Sequence, residues 1–250
     1  MPTAKVTLIG AGPGDPELMT LKAARALAEA DVVLVDDLVN REILRHAPQA
    51  RIIEVGKRGG CKSTPQHFIN RMLIALAGQG QRVARLKGGD PFMFGRGGEE
   101  MLALRAAGIE VEIIPGITSG TAVPASIGIP LTHREYTHGV TFVTGHTRDG
   151  ASPNWRALVA SGTTLVIYMG LKHLPQIVTG LLDAGLPGET PAAIIQQGTL
   201  PQQKQVVTDI ASLPLAATQH GIVSPALIVV GEVVALAHIE HLASQQRIAA

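Results

Sequence analysis

Asp90, Arg96, Glu99 and Glu100 lie in one glycine-dense stretch, Leu86-Lys87-Gly88-Gly89-Asp90-Pro91-Phe92-Met93-Phe94-Gly95-Arg96-Gly97-Gly98-Glu99-Glu100, which follows an apolar run. Five glycines so close together sacrifice chain entropy and side-chain packing. A fold tolerates that where backbone must approach a ligand closely or take positive φ. An arginine and three acids set beside such backbone can hold an ionic ligand and move a proton.

Three further segments could contribute. Gly10-Ala11-Gly12-Pro13-Gly14-Asp15-Pro16 follows an apolar run, and Asp36 ends the next one. A dinucleotide fingerprint needs a third glycine three residues after the second, where this chain has Asp15, and two prolines occupy the turn. Asp15-Pro16 instead suits a helix cap with proline at the first helical position. Pro115-Gly116-Ile117-Thr118-Ser119-Gly120 brings small hydroxyl residues after another apolar run, either as ligand contacts or as a helix cap. Ligands of open α/β sheets gather at the carboxyl ends of strands, so these loops could share a crevice. The third segment is a scatter of cations: Lys57 and Arg58, Arg96, and Arg134. Arginine forks grip carboxylates in pairs, so a polyanionic ligand is plausible although the net charge is only +1.

The elements that must position these residues alternate. The pattern predicts strands at 6–9, 32–35, 52–55, 83–86 and 111–114, helices at 18–30, 41–45 and 66–77, one opening near Gly98, and a small-residue helix after Thr118. That rhythm implies a largely parallel sheet covered by helices. It is interrupted by Gly128-Ile129-Pro130-Leu131-Thr132-His133-Arg134-Glu135, so we place a domain boundary there, dividing residues 1–133 from 134–245. The second half offers strands at 140–143, 164–168, 192–195, 205–207 and 227–230, with fewer helices and a hairpin-like spacing. It reads as an α/β domain with a mixed sheet.

A chain of 250 residues with 46% hydrophobic residues can fill real cores. The lone Cys61 excludes an intrachain disulfide or thiolate cage and suggests a reducing compartment. The first residues read as running into a strand and turn, so a signal peptide is not expected. No apolar stretch nears the roughly 18 residues of a membrane span, and a cytoplasmic location is expected. The nine histidines show no metal spacing; His133, His138 and His146 suit polar or capping roles, and no metal is expected. The charge balance gives no face for nucleic acid.

Taken together, Gly10 to Pro16, Val55-Gly56-Lys57-Arg58-Gly59-Gly60, Arg85 to Glu100, Pro115 to Ser119, Pro130 to Glu135 and Tyr168-Met169-Gly170 resemble the tetrapyrrole methyltransferase family, specifically its members that methylate uroporphyrinogen III. The resemblance covers nearly the whole chain. It implies a two-domain α/β enzyme, a homodimer, with its active site in the cleft between domains and S-adenosylmethionine as methyl donor. The implied reaction adds methyl groups at positions 2 and 7, through precorrin-1, giving precorrin-2 and S-adenosylhomocysteine. A dehydrogenase and ferrochelatase module is not expected in this chain, and the reaction is expected to stop at precorrin-2. The cofactor residues implied are Pro13, Gly88, Gly89, Asp90, Met93, Thr118, Ser119, Met169, Gly198 and Ala226. Arg96 and Arg134 would anchor substrate carboxylates, and Asp36, Lys57 and Glu99 are candidates for proton handling. A methyltransferase acting on a later precorrin is the nearest alternative; a nicotinamide oxidoreductase or a non-catalytic binding protein stands further off.

Overall fold

The computed structural model describes residues 4–56, 64–145 and 151–237; Lys57, Arg58, Cys61 and His146 lie outside them. The chain divides into two compact units, one ending at Thr118 and the other beginning at Ser119. That division falls ahead of the one read from the sequence at 133/134. The helix Ser119–Ser126 makes the difference, because Val123 within it is buried in a core of the second unit.

The first unit is a parallel sheet of β1 (Lys5–Gly10), β2 (Val32–Val35), β3 (Arg51–Glu54), β4 (Val83–Lys87) and β5 (Glu110–Ile114), in the order β3-β2-β4-β1-β5. Its helices are α1 (Leu21–Ala28), α2 (Gln66–Gly78) and α3 (Gly97–Ala106). The expected helix at 18–30 is broken into a 3-10 turn, Pro16–Leu18, and α1, because Thr20 caps α1 by accepting from the Ala23 amide. The expected helix at 41–45 is a 3-10 turn, Arg41–His46.

Alternation along each central strand separates two cores. Ile9, Val33, Val35, Ala84 and Leu86 face α1 and the Arg41–His46 turn, whereas Val6, Leu8, Val32, Leu34 and Val83 face α2 and α3. Each fully buried aliphatic side chain contributes about 1.5–3 kcal/mol. By the same period of two, Arg85 and Lys87 of β4 belong to the α2–α3 side, and Asp36 continues the side of Leu34. β1 and β4 are neighbours whose connections leave in opposite directions, β1 toward β2 and β4 toward β5. Such a switch point opens a ligand crevice at the strands' carboxyl ends.

The second unit contains α4 (Ser119–Ser126), β6 (Val140–Thr144), α5 (Trp155–Ala160), β7 (Thr164–Tyr168), α6 (Leu174–Asp183), β8 (Pro191–Gln196), β9 (Lys204–Asp209), α7 (Leu213–Gln219) and β10 (Ala226–Val230). Its sheet runs β6-β7-β10-β8-β9; β6 and β7 are parallel, and the other pairings are antiparallel. The mixed sheet agrees with the sequence reading, but the expectation of fewer helices does not. Pro175 and Pro214 each sit in the first turn of a helix, where no amide bond is lost. Among the described residues no helix is long and apolar enough to cross a membrane.

Candidate active site

Three loops of the first unit meet at the carboxyl ends of β1, β4 and β5. The Gly12 amide donates to the Gly89 carbonyl at 3.2 Å, the Gly89 amide donates back to the Gly12 carbonyl at 2.7 Å, and the Ala11 amide donates to the Lys87 carbonyl at 2.8 Å. Asp90 extends the tie. Its Oδ1 accepts from the Phe92 amide at 2.8 Å, and its Oδ2 accepts from the Gly116 amide at 3.1 Å. Pro13, Gly88, Gly89, Asp90, Met93 and Thr118 are thus carried by loops that follow β1, β4 and β5.

The glycine density partly meets the positive φ read in the sequence, which Gly89 takes at 65° and Gly12 at 81°, and it has a further cause in packing. A Cβ at Gly10 would run into the Gly116 amide, one at Gly116 would run into the Gly89 carbonyl, and one at Gly97 would run into the Pro91 carbonyl. These glycines let backbone pack on backbone. Gly98, the second residue of α3, has open space where a side chain would be. Gly116→Ala is expected to force the three loops apart at a cost of about 1–3 kcal/mol. Its urea midpoint, and titration with S-adenosylhomocysteine, check this; an unchanged midpoint with unchanged binding would contradict the packing account.

Arg96 begins α3 in the left-handed region at φ 60°, and Phe94 shares that region at φ 52°. Non-glycine residues held there carry strain of about 1–3 kcal/mol each, which concentrates at functional sites. Arg96 donates through Nε to Glu99 Oε1 at 2.9 Å and through Nη2 to Oε2 at 2.7 Å. Three residues apart at the start of a helix, the two side chains share a face. The hydrogen bond that Arg96 donates to Glu99 leads the factors that hold its guanidinium above its ordinary pKa. Both side chains are about half exposed, at 53% and 55%.

A buried ionic cluster lies beneath these loops, and sequence reasoning missed it. Arg85 and Glu100 are 1% and 0% exposed and joined at 3.1 Å between Nε and Oε1. Lys87 Nζ lies 3.3 Å from the same Oε1. Gln66 of α2 also donates to that oxygen, at 2.9 Å. Arg85 Nη2 reaches Asp36 Oδ1 at 2.6 Å, and Lys87 Nζ lies 3.4 Å from Oδ2. Two cations in the strand Val83-Ala84-Arg85-Leu86-Lys87 were the available signal. Parallel strands covered on both faces are otherwise apolar, and buried charges need partners.

Asp36 is 32% exposed, so it is the member of the cluster that faces outward. Burial pushes its carboxyl up, but the charges of Arg85 and Lys87 and their hydrogen bonds outweigh burial and hold it below the usual carboxylate range. A carboxyl whose folded pKa is depressed stabilises the fold above its unfolded pKa, about 4. That contribution is lost as pH falls through the folded value. The difference in thermal midpoint between wild type and Asp36→Asn should therefore narrow on acidification below about pH 4; a constant difference would rule the linkage out.

In the second unit Met169 follows β7 with φ 55° and is 55% exposed. The Tyr168 hydroxyl accepts from the Gly120 amide at 2.6 Å, which ties the start of α4, with Ser119, to the end of β7. Gly198 follows β8 between Gln197 (φ 48°) and Thr199 (φ 67°), and a Cβ on it would strike Val123 of α4. Gln203 Oε1 accepts from the Thr199 amide at 2.6 Å and holds that turn. Ala226 pairs with Gln196 across β10 and β8. Ser119, Met169 and Gly198 are therefore grouped by α4. Arg134 is exposed beside the His133–Thr137 bridge and has no ion pair among the described residues. Lys57 falls outside those residues.

Residues 5–214 match the family described as Tetrapyrrole (Corrin/Porphyrin) Methylases. A uroporphyrinogen-III C-methyltransferase of Pseudomonas aeruginosa is 54% identical over 231 residues, covering 92% of this chain and 94% of that protein. The crystal structure of a uroporphyrin-III C-methyl transferase from Thermus thermophilus, complexed with S-adenosylhomocysteine, matches with a TM-score of 0.79 and 41% identity, over 92% of this chain and 98% of that one. A cobalt precorrin-4 methyltransferase matches with a TM-score of 0.83 but only 28% identity, over 92% of this chain and 96% of that one. Fold similarity is thus no guide to which tetrapyrrole is used, and the sequence identities carry that distinction. With most of its length matched by the family model and by a relative at 54% identity, the chain belongs to the tetrapyrrole methylase family.

Proposed function

We propose that the chain transfers methyl groups from S-adenosylmethionine to uroporphyrinogen III at positions 2 and 7, through precorrin-1, giving precorrin-2. The observation that carries this reading is Asp36, an ionised carboxylate anchored by buried cations and partly exposed beside the Gly88–Gly89 loop. The 54% identity to an enzyme named for this reaction supports the substrate.

The residues present fit the donor. Met169 is an exposed thioether on strained backbone, suited to packing against a purine. Pro13, Gly88, Gly89, Asp90, Met93, Thr118, Ser119, Met169, Gly198 and Ala226 are the residues that would hold it. Bound S-adenosylmethionine supplies an electrophilic methyl group on a positive sulfur and leaves as a neutral thioether.

The substrate's eight carboxylates call for cations, and Arg96 and Arg134 bind them by paired hydrogen bonds. Glu99 orients Arg96 in this role and is thereby a poorer proton acceptor. Methylation of a ring carbon that already bears a side chain leaves no hydrogen on that carbon, so the cationic macrocycle must lose a proton from elsewhere. Asp36 takes that proton, and the electron pair of the broken bond returns to the ring system. A carboxylate of low pKa suffices, because a cationic macrocycle is a strong acid. The working form is a homodimer in the cytoplasm, a reading supported by the family resemblance and the single cysteine; sedimentation of the purified protein checks its mass.

Anaerobic incubation with uroporphyrinogen III and methyl-labelled S-adenosylmethionine tests the reading by mass analysis of the tetrapyrrole. Two added methyl groups are expected. None, with S-adenosylhomocysteine still bound, would transfer the assignment to a later precorrin.

A further inference from the structure

Stability does not explain why Arg85, Lys87 and Glu100 are charged. Replacing a buried ion cluster with apolar side chains of similar volume is commonly neutral or stabilising. Moreover, Glu100 Oε2 is buried with no hydrogen-bond partner, a deficit of about 1–3 kcal/mol. The cluster holds two cations and two carboxylates, and all its links converge on Asp36: Arg85 and Lys87 touch it directly, and Glu100 touches both of them.

We propose that Lys87 and Glu100 are positioning residues that act on Asp36 with opposite electrostatic sign, fixing where its carboxylate points and how readily it accepts the proton released in methyl transfer. This rests on Asp36 being the proton acceptor. The Lys87 ammonium, 3.4 Å from Asp36, favours the ionised carboxylate. Glu100, 3.3 Å from Lys87 and 3.1 Å from Arg85, offsets both cations and keeps them from making Asp36 too weak a base. The remaining charged groups near Asp36 are few among the described residues. Arg41 donates through Nη1 to the Asp36 carbonyl at 3.1 Å and is paired with Glu54 of β3 at 3.5 Å. Asp37 is the next residue in the chain, and the Gln66 contact to Glu100 is neutral.

The opposite signs give a signature that a scaffold role would not. Removing the Lys87 charge makes Asp36 easier to protonate, so the acidic limb of kcat moves to higher pH. Removing the Glu100 charge leaves the cations uncompensated, so the limb moves to lower pH and the plateau falls. Each displacement should be about one pH unit.

The test measures kcat and KM against pH for the full chain with uroporphyrinogen III and S-adenosylmethionine. It compares wild type, Lys87→Met and Glu100→Gln, with S-adenosylhomocysteine binding and the urea midpoint recorded for each. Opposite displacements with KM within about twofold support the proposal. Limbs that stay at the wild-type pH, or move in the same direction, overturn it. If Glu100→Gln does not fold, Lys87→Met decides alone: an upward displacement supports the proposal and an unmoved limb overturns it. Asp36→Asn separates the two readings. Wild-type turnover in that variant removes Asp36 as proton acceptor, whereas slow turnover with unmoved limbs in the other variants removes only the positioning role.

Discussion

Replacing Asp36 with asparagine lowers kcat for methyl transfer about 10²–10⁴-fold, the range over which a positioned general base accelerates a reaction. Asparagine preserves size and can still accept from Arg85 Nη2, which lies 2.6 Å from Asp36 Oδ1. What it cannot do is take a proton at neutral pH. The substitution also leaves Arg85 and Lys87 with Glu100 as their one carboxylate partner in the cluster, so a net positive charge faces a cationic macrocycle and raises the barrier further. Binding of S-adenosylhomocysteine should be little changed, because the loops that carry Pro13, Gly89 and Asp90 are tied by main-chain bonds and the Asp90 carboxylate, and none of those bonds involves Asp36. The measurement is single-turnover methyl transfer beside a cofactor titration. Turnover within about twofold of wild type would sink the assignment and leave Glu99 or Lys57 to handle the proton.

Much of the fold was legible because parallel strands announce themselves. Val32-Val33-Leu34-Val35 is buried throughout and reads as a continuous apolar run. Strand ends and glycines then pointed to the loops that the structure joins after β1, β4 and β5, and the glycines there also serve packing: Gly10, Gly89 and Gly116 crowd one another, and Gly97 crowds Pro91. A glycine required by a neighbouring backbone and one required by a ligand look alike in one dimension. The pairing of Arg96 with Glu99 was readable because three residues along a helix is a local relation. The partnership of Arg85 with Asp36 and Glu100 was not. It depends on Leu34 lying opposite Arg85 in the sheet and on α3 returning over the same face, and both are long-range facts.

Truncating Arg85 to alanine should destabilise the first unit by about 3–5 kcal/mol, the usual consequence of removing one partner from a buried ion pair. The guanidinium serves four acceptors at once: Glu100 Oε1 at 3.1 Å, Asp36 Oδ1 at 2.6 Å, and the Leu34 and Leu86 carbonyls at 3.3 Å each. Its loss leaves Glu100, already short of one partner at Oε2, with only Lys87 and Gln66 at its other oxygen. A domain is typically stable by about 5–15 kcal/mol, so the variant would sit near the edge of folding. Pairing the changes separates charge from packing. Arg85→Met retains most of the buried stem but strands Glu100, whereas Arg85→Met with Glu100→Leu removes both charges and fills the space. The double variant should recover most of the stability lost by the single one, and urea midpoints of the full chain would measure that coupling. Recovered stability with methyl transfer still impaired would mean that the charges are retained for the sake of Asp36. A single Arg85→Ala variant within about 1 kcal/mol of wild type would instead mean that the pair is solvated and that the cluster has no such hold on the sheet.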